Sequence, residues 1–288
     1  MDFVSVDVET ANSDMASICQ IGIAVFENGT IVDEWVTLVD PDDYFDGINV
    51  SIHGISKRDV KGAPKFSGVA KKINDYFKDN LIISHGSFDR TSLLKAFTEC
   101  DESLLFDSWL DTCRVTRRAW PQFSKSGYGL ANVCKTIGYE FEHHDALADA
   151  KAAGAVLIEA IKLTNIDLDD WPKRVNQPIV PGSSSVGTAI NREGNPEGDL
   201  FGEVVVFTGS LMMVRSEAAN LASKMGCSVA SGVTKTTTLL VVGDQDLDKL
   251  GGKDKSSKHI KAEGLIARGQ AIRILKESDF MSMAKDSI

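Results

Sequence analysis

The chain has 288 residues, of which 43% are hydrophobic and 25% are charged, a composition typical of an ordinary soluble protein with two domains. Its apolar runs are too short to cross a bilayer, and no cationic stretch with an apolar segment precedes the first strand, so we expect neither membrane association nor a signal peptide. Five cysteines without C-x-x-C spacing argue against a disulfide framework or structural zinc, and they favour reduced thiols in the cytoplasm.

The net charge of −10 is unevenly distributed. Residues 199–288 carry 12 basic and 11 acidic residues, whereas residues 1–198 carry 19 basic and 30 acidic ones. A protein that holds long stretches of duplex without sequence preference needs a basic surface. The acidic N-terminal region therefore disfavours such a binder and agrees with an enzyme that grips a few nucleotides through metal ions.

The N-terminal half is predicted to be a mixed α/β domain. Strand-like segments open it, joined by turns such as Glu27-Asn28-Gly29. The predicted strands lie near residues 2–8, 18–26, 30–38 and 81–83, and the predicted helices near 65–78, 87–98, 112–119, 128–137 and 146–163. An antiparallel meander followed by alternating strands and helices brings acidic residues to the strand ends and to the last helix.

Residues 166–198 have the composition of a linker, since four of the seven prolines and the Gly182-Ser183-Ser184-Ser185 segment lie there. Residues 199–288 are then predicted to form a smaller α/β domain of order βαββαβα with a parallel sheet. Its strands are expected at 204–207, near Val229, at 239–242 and at 271–274, and its helices near 215–225, 256–268 and 276–284.

Four acidic residues stand out in three separated motifs of the N-terminal half. Asp7 and Glu9 lie in the first motif, Asp89 ends the second, and Asp149 ends the third. Each lies in or beside an apolar segment, where an unpaired charge is costly. Oxygen ligands of this kind suit Mg²⁺ or Mn²⁺, and a pair of such ions can clamp the attacking and leaving oxygens of a displacement at phosphorus.

Spacing constrains how these residues meet. Asp7 and Glu9 are two apart on a strand, so both leave the same face. His144 and Asp149 are five apart, and on one helix they would diverge by about 140°. We therefore expect His144 in a loop, Asp145 near the N-cap and Asp149 in the helix. Taken singly, an Asp-x-Glu pair is usually a solvated strand end and such a histidine a surface residue; the combination indicates a site.

With these motifs the chain resembles the DEDD exonucleases of the ribonuclease H-like fold, in the subtype that bears a histidine. The likeness is to the proofreading epsilon subunit of bacterial DNA polymerase III and its relatives, and it covers residues 1–165. Flanking segments that carry it are Ile52–Ser56, Asp111–Arg114 and Tyr128–Cys134. The resemblance implies that Asp7, Glu9, Asp89 and Asp149 hold two divalent cations, Mg²⁺ or Mn²⁺, and that His144 deprotonates the attacking water. Gly86 departs from the pattern, because many relatives carry Asn there.

Four further residues are candidate substrate contacts. Thr10 either meets the terminal sugar or only closes the strand, and His53 either lies against the 3′-terminal nucleotide or is a turn residue before a helix at 56–61. Phe88 is counted with them because it precedes Asp89. Arg114, with Arg117 and Arg118, forms a basic helix face that either contacts the phosphate backbone or is merely solvated.

The second domain resembles a BRCT domain. Segments that carry the likeness are Phe207-Thr208-Gly209, Lys224–Cys227, Thr236–Gly243, Lys255–Lys258 and Glu277–Phe280. The resemblance implies that Thr208, Gly209, Arg215 and Lys255 bind a phosphate, most simply the 5′-phosphate of DNA. The alternative is that the domain only docks a replication or repair protein. The Trp common in the third helix of that family is absent, and Phe280 lies nearby.

The function expected from these observations is metal-dependent 3′→5′ exonuclease activity on DNA 3′ ends, in proofreading or repair. The attached BRCT-like domain favours DNA by analogy. The alternatives are a 3′→5′ exoribonuclease acting on short RNA or RNA 3′ ends, and a non-enzymatic or polymerase-tethered adaptor. The complete set of four acids and one histidine argues against an inactive adaptor.

Overall fold

The structure, a computed structural model, describes residues 1–124, 127–179, 193–209, 211–243 and 255–286. The chain forms two compact units, Met1–Ser184 and Ser185–Ile288. Each unit is a mixed α/β structure with its own sheet, which confirms the predicted fold class. Within the described residues, no helix combines the length and apolarity that a membrane span requires.

The first unit is built on a five-stranded sheet of order β3-β2-β1-β4-β5. The strands are β1 Phe3–Thr10, β2 Ile18–Glu27, β3 Thr30–Leu38, β4 Leu81–Ser84 and β5 Ser108–Asp111. The first three are antiparallel, and β4 is parallel to β1 and to β5. Asn28 and Gly29 join β2 to β3 with φ of 52° and 76°, the left-handed values that an Asn-Gly hairpin turn needs.

Helices cover both faces of this sheet. They are α1 Gly47–His53, α2 Phe66–Phe77, α3 Phe88–Glu99, α4 Thr112–Ala119, α5 Leu130–Ile137, α6 Ala146–Thr164 and α7 Trp171–Arg174. Alternate side chains of β1 serve two cores. Val4, Val6 and Val8 pack with α2 and α3, while Phe3 packs with residues of α4, α5 and α6. Asp7 and Glu9 share the strand face of Phe3, which is the face that α6 covers.

Among the strands and helices named above, β5, α1 and α7 were not predicted. The helix expected at 56–61 is absent, and α1 ends at His53 instead. Asp46 caps the start of α1 by accepting from the Ile48 N–H at 3.0 Å, and Gly54 ends it with a left-handed φ of 77°. The carboxylate of Asp59 accepts from the Ser56 N–H and hydroxyl, which makes the following segment a turn.

The described parts of the predicted linker are packed, so its bounds of 166–198 need correction. Trp171 is completely buried and lies in the first unit's core with Val175. At the other end, the Asn195 N–H donates to Ser223 O at 2.8 Å, which ties this segment to the second unit. The prolines indicated a linker because they restrict the local backbone. They carry no information on the burial of Trp171, which depends on residues distant in the sequence. Residues 180–192 lie outside the described residues.

The second unit has a four-stranded sheet of order β7-β6-β8-β9, parallel throughout as predicted. Its elements are β6 Val204–Thr208, α8 Arg215–Lys224, β7 Ser228–Ala230, β8 Leu239–Val242, α9 Ser257–Ile266, β9 Arg273–Lys276 and α10 Glu277–Asp286. The last strand begins two residues later than expected, because Arg273 is the residue that pairs with Leu239. Phe280 is fully buried and meets Phe207 edge-on at 5.3 Å.

Candidate active site

The carboxylates of the first motif lie where α6 crosses the sheet. On the face of β1 that carries Asp7 and Glu9, the hydroxyl of Ser5 donates to the carbonyl oxygen of Ala150 in α6. Val6 and Val8 point into the opposite core. The alternation of β1 therefore directs both acids at the first turns of α6.

Two residues of β2 set this close approach, and the sequence reasoning missed both. Gly22 pairs with Asp7, and a Cβ at Gly22 would lie 2.2 Å from the backbone nitrogen of Leu147, so only glycine fits. Gln20 pairs with Glu9, and its Oε1 accepts from the Ala146 N–H at 3.0 Å. Together they seat the start of α6 against the strand that carries the acids. The one signal in the sequence was a glycine inside a strand, which often marks close backbone approach.

Asp149 completes a cluster of three carboxylates. It lies in the first turn of α6, whose N-cap Asp145 accepts from the Ala148 N–H at 2.9 Å, as the spacing predicted. Ligand oxygens of Asp7, Glu9 and Asp149 all lie within 4.8 Å of one another. Asp149 is buried, and the N-terminal end of α6 favours its negative charge. We call Asp7, Glu9 and Asp149 the acidic cluster.

Asp89 lies beside the same strand, outside the acidic cluster. It is buried in the first turn of α3, and its Oδ1 accepts from the Val8 N–H at 3.3 Å. The pairing of β1 with β4 ends at Ser5, so the Val8 N–H lies beyond the paired part of β1. The backbone between Asp7 and Glu9 thus holds the fourth acid.

His144 precedes α6 in a loop, and its neighbour His143 is drawn into the site. His144 has an unusual φ of 71°, and its N–H donates to Asp149 Oδ2 at 2.7 Å. His143 Nδ1 lies 2.7 Å from Asp149 Oδ1, and the two imidazole rings stack with centroids 4.0 Å apart. Both histidine residues are exposed. Sequence reasoning selected His144 alone and missed the contact that His143 makes with the metal-ligand candidate.

Helix α1 fixes the end of β1 at Thr10. Asn49 Nδ2 and His53 Nε2 both lie near Thr10 O, at 2.9 and 3.1 Å. His53 Nδ1 accepts from the Ile55 N–H at 3.0 Å, so the ring carries its proton on Nε2 and donates it to Thr10. Burial lowers the pKa of His53, which keeps this ring neutral. Asn49 is a further residue that the sequence reasoning did not single out.

The arginines of α4 hold the chain after α7. Arg114 donates to Val175 O at 2.8 Å, and Arg118 donates to Gln177 O at 2.7 Å. Arg117 is buried, with its Nε 3.3 Å from Ser124 O. Arg114 and Arg118 are thus engaged with backbone carbonyls of the segment that follows Trp171, and a phosphate role for Arg114 stays a prediction. The i, i+3, i+4 spacing could not reveal this partner.

A half-buried histidine feels the charge of Asp149 in the acidic cluster. His85 Nε2 donates to Tyr128 O, and Nδ1 lies 2.8 Å from the Thr112 hydroxyl. Burial lowers the pKa of His85 to about 4, while the negative charge of Asp149 works in the opposite direction. The ring is therefore neutral at physiological pH and its Nδ1 accepts from Thr112.

The loop between β4 and α3 explains the glycine at position 86. Gly86 has a φ of 114°, in the region that favours glycine, and its N–H donates to Asp111 Oδ1 at 2.9 Å. The same oxygen accepts from the Cys113 N–H at 2.7 Å and so caps α4. Phe88 follows as the first residue of α3 and is half-buried. A Cβ at Gly86 would meet only Phe88 Cδ2, at 3.9 Å.

Burial raises the pKa of two cysteine thiols near the acidic cluster, Cys134 and Cys19. Burial raises the pKa of the Cys134 thiol to about 12, and the charge of Asp149 adds to the effect. Burial likewise raises the pKa of Cys19, with a further contribution from Glu9. All five cysteines are free.

In the second unit, two basic side chains meet at the end of β6. Arg215 Nη1 and Lys258 Nζ both donate to Phe207 O, at 2.8 and 3.0 Å. Arg215 Nη2 also donates to Gly209 O at 2.7 Å. The hydroxyl groups of Thr208 and Ser256 lie 2.7 Å apart next to this carbonyl. We call Thr208, Arg215, Ser256 and Lys258 the basic pocket. Lys255, which the sequence analysis had placed here, instead forms an ion pair with Glu263.

Known families match both units. The sequence pattern of the Exonuclease (RNase_T) family matches residues 4–157, more than half of the chain. The chain belongs to this exonuclease family. The pattern of the BRCA1 C Terminus (BRCT) domain matches residues 196–267. Both resemblances drawn from the motifs are thereby confirmed, and the first unit is called the exonuclease domain from here on.

The curated relatives of the exonuclease domain include DNA polymerases. PolC-type DNA polymerase III of Streptococcus pyogenes serotype M1 is 26% identical over 164 residues, which are 56% of this chain and 11% of that protein. The PolC-type enzyme of Streptococcus mutans gives the same identity and coverage. The chain thus spans about a tenth of the length of these relatives.

Solved structures share the fold of the exonuclease domain. Exonuclease X in complex with 5′ overhanging duplex DNA matches with a TM-score of 0.51 and 21% identity, covering 60% of this chain and 99% of that one. E. coli exonuclease I in complex with a dA16 oligonucleotide matches with a TM-score of 0.51 and 18% identity, covering 61% and 42%. At these identities the likeness establishes the fold.

The acidic cluster of the exonuclease domain fits a hard divalent cation. Asp7, Glu9 and Asp149 offer three carboxylate oxygens within 4.8 Å, and Asp89 adds a buried fourth carboxylate beside the same strand. Oxygen-only donor sets of this kind suit Mg²⁺ and Mn²⁺. Such closely placed carboxylates repel one another, and a bound cation would offset this repulsion.

Proposed function

We propose that this protein is a divalent-cation-dependent 3′→5′ exonuclease that acts on DNA ends in proofreading or repair. The observation that carries the proposal is the acidic cluster, in which Asp7, Glu9 and Asp149 bring carboxylate oxygens within 4.8 Å at the start of α6. Membership of the exonuclease family supports the nuclease activity itself. The names of the similar proteins, DNA polymerase III and an exonuclease in complex with duplex DNA, support DNA as the substrate.

Each acidic residue has a defined part in this proposal. Asp7, Glu9, Asp89 and Asp149 would hold two divalent cations. When bound, such cations make the phosphorus more electrophilic and the attacking water more acidic. β1, α3 and α6 fix the four carboxylates in advance, so little rearrangement is needed for binding. The Ser5–Ala150 hydrogen bond and Gly22 keep α6 against β1.

His144 is the proposed general base. Its ring lies on the exposed side of Asp149, where a water beside the scissile phosphodiester can reach it, and its backbone is fixed by the Asp149 carboxylate. The neutral ring takes the proton of the attacking water as the new phosphorus–oxygen bond forms. The bond from phosphorus to the 3′ oxygen of the preceding nucleotide breaks, and that oxygen takes a proton from solvent water. This releases a nucleoside 5′-monophosphate and leaves a 3′ hydroxyl on the shortened strand.

Thr10 and α1 are proposed to receive the terminal nucleotide. Thr10 follows Glu9 directly, so its N–H and hydroxyl lie next to the acidic cluster. Asn49 and His53 hold its carbonyl, which fixes the Thr10–Ala11 peptide that follows. A residue whose backbone is held on one side can present its own N–H or hydroxyl to the 3′ hydroxyl with little loss of conformational freedom. Phe88 remains a candidate for contact with the terminal base.

The test uses matched DNA and RNA oligonucleotides with a label at the 5′ or the 3′ end. With Mg²⁺ we expect a ladder of 5′-labelled DNA products that shortens with time, and immediate release of mononucleotide from 3′-labelled DNA. Faster degradation of RNA would replace the DNA assignment with exoribonuclease activity. Loss of nucleotides from the 5′ end, or activity in excess EDTA, would contradict the proposed polarity or the metal requirement.

We further propose that the second unit binds a phosphate, namely the 5′-phosphate of DNA, in the basic pocket. Arg215 and Lys258 converge on one carbonyl, and partial burial together with the charge of Arg215 lowers the pKa of Lys258. Burial contributes more than Arg215 to this decrease. A bound phosphate would offset the repulsion between the two cations and accept hydrogen bonds from Thr208 and Ser256.

Two neighbouring lysines allow a matched test of this pocket. Fluorescence anisotropy compares duplexes with and without a 5′-phosphate, using the full chain in EDTA so that the DNA is not degraded. We expect tighter binding of the phosphorylated end, lost in Lys258→Ala and retained in Lys255→Ala, since Lys255 is paired with Glu263. If both duplexes bind equally well, the phosphate proposal is wrong and the unit is better described as a protein-docking module. The same conclusion follows if the two substitutions change binding equally.

A further inference from the structure

His143 makes two contacts that link a metal-ligand candidate to the proposed base. Its Nδ1 lies 2.7 Å from Asp149 Oδ1, and its ring stacks on His144 with centroids 4.0 Å apart and planes at 21°. A carboxylate accepts hydrogen bonds, so His143 Nδ1 is the donor and carries the proton. The side chain of His143 is 41% exposed, so burial does not force it into this position.

The ring of His143 is held from its other side by the domain itself. Phe141 meets His143 with centroids 5.4 Å apart and planes at 68°, an edge-to-face contact. Phe141 in turn lies 6.1 Å from Tyr139, and both pack against the core that contains α5 and α6. His143 thus stands between a ring anchored in the core and the ring of His144.

The backbone of this loop needs such support. His144 adopts a φ of 71°, which a non-glycine residue rarely takes and which strains the backbone. Asp149 uses both oxygens to hold the loop, since Oδ2 accepts from the His144 N–H and Oδ1 accepts from His143. The two bonds also fix the rotation of the carboxylate. Each oxygen keeps lone-pair directions that remain available to a cation.

We propose that His143 is a positioning residue with two separable effects. Its hydrogen bond sets the orientation of Asp149 for cation binding, and its stacking contact sets the ring of His144 for proton transfer. The second effect rests on the proposed function of His144, whereas the first concerns cation binding alone. Removal of a residue that hydrogen-bonds to a metal ligand typically lowers metal affinity or activity by about 10–100-fold.

Two substitutions separate the effects. In His143→Phe a flat ring remains to stack on His144, while the hydrogen bond to Asp149 is lost. In His143→Asn an amide nitrogen remains near the position of Nδ1, while the stacking surface is lost. The full chain is used, and Mn²⁺ binding is measured by calorimetry without DNA alongside the steady-state kcat and KM for cleavage of a DNA oligonucleotide.

For His143→Phe we expect Mn²⁺ affinity to fall by about 10–100-fold, with the loss of cleavage rescued by added Mn²⁺. For His143→Asn we expect near-normal Mn²⁺ affinity, a lower kcat that added Mn²⁺ does not rescue, and an unchanged KM. The proposal is overturned if both variants match the native protein, or if both lose affinity and kcat to the same extent. Thermal unfolding midpoints show whether an equal loss comes from general damage to the fold.

The two proposals fail in different ways. If the native protein does not cleave DNA, the proposed function fails, yet the Mn²⁺ affinities of the two variants still test the role of the Asp149 bond. If the native protein cleaves DNA and neither variant changes affinity or kcat, the role of His143 fails while the exonuclease assignment remains.

Discussion

The acidic cluster of the exonuclease domain and the basic pocket of the second unit are proposed to recognise the same group, a phosphate, by opposite electrostatic means. Carboxylates on β1 and α6 attract a phosphodiester only through cations that they bind first. Arg215 and Lys258 supply positive charge directly. The comparison shows why the acidic surplus of residues 1–198, with 19 basic and 30 acidic residues, is compatible with a nucleic-acid enzyme.

The largest effect that separates the two regions is expected from Asp7→Ala. Loss of this carboxylate weakens cation binding, and a catalytic cation is worth several kcal/mol of transition-state stabilisation, so cleavage should fall by roughly 10³-fold or more. Folding should be kept or slightly improved, since like charges are removed. Single-turnover cleavage and calorimetry with Mn²⁺ measure the loss. Binding of a 5′-phosphorylated duplex in EDTA should be unchanged.

Asp42→Ala is the control for this substitution. Asp42 is an exposed carboxylate paired with Lys65 on the surface, and its removal should leave both cleavage and duplex binding intact. If Asp7→Ala keeps its cleavage rate, the metal-dependent mechanism is wrong. If it loses end binding as well, the two regions do not act independently.

His144→Ala should lower turnover by about 10²–10⁴-fold, the usual contribution of a general base. Cation binding and duplex end binding should be nearly kept. The native rate should rise with pH, because only the neutral ring accepts a proton. A pH–rate profile of both proteins is the measurement, and an unchanged profile in the variant would assign the proton to another group.

Trp171→Ala should destabilise the exonuclease domain by about 3–5 kcal/mol and leave the second unit unaffected, because Trp171 is fully buried in the first unit's core. Calorimetry should show a lower unfolding temperature for the exonuclease domain and an unchanged unfolding temperature for the second unit. Trp171→Phe, which keeps part of the apolar surface, should lose less stability.

A fragment of residues 1–165 should be destabilised like the alanine variant, whereas a fragment of residues 1–179 should fold normally. Equal stability of the two fragments would return the boundary to residue 165.

Acid should destabilise the exonuclease domain through His85. The folded pKa of about 4 lies below the ordinary value of about 6.5, so the unfolded state binds more protons between these values. The stability that the neutral His85 ring contributes to the folded domain is fully present above about pH 6.5, and it is lost as the pH falls towards 4. Between pH 7.5 and 5 the expected loss is about 2 kcal/mol. Urea unfolding of the native protein and of His85→Gln at both pH values measures it, and an equal decrease in the two proteins would exclude His85 as the cause.

The features that the sequence predicted are those that depend on short spacing along the chain. The alternation of β1 placed Asp7 and Glu9 on one face, and the five-residue spacing placed His144 before α6 with Asp145 as its N-cap. The turn at Asn28-Gly29 needs left-handed backbone that these two residues adopt easily. Strand period, helix period and capping are local properties, so a sequence reveals them without knowledge of the fold.

The partners of polar side chains were decided only by the tertiary structure. Arg114 and Arg118 bind carbonyls some 60 residues away, beyond the reach of any spacing argument. Lys258 occupies the basic pocket because it lies in the first turn of α9, whereas Lys255 reaches Glu263. His143, adjacent to the expected base, is held on Asp149 by its own hydrogen bond and by a stack anchored at Phe141.

The sequence by itself determined the two α/β domains, the acidic motifs and the family to which they belong. The tertiary structure decided which of several equivalent charged side chains reaches each site and how closely α6 approaches β1. The physical reason is that hydrophobic periodicity and motif spacing act over a few residues, whereas contacts such as Gly22 against Leu147 arise from elements more than a hundred residues apart.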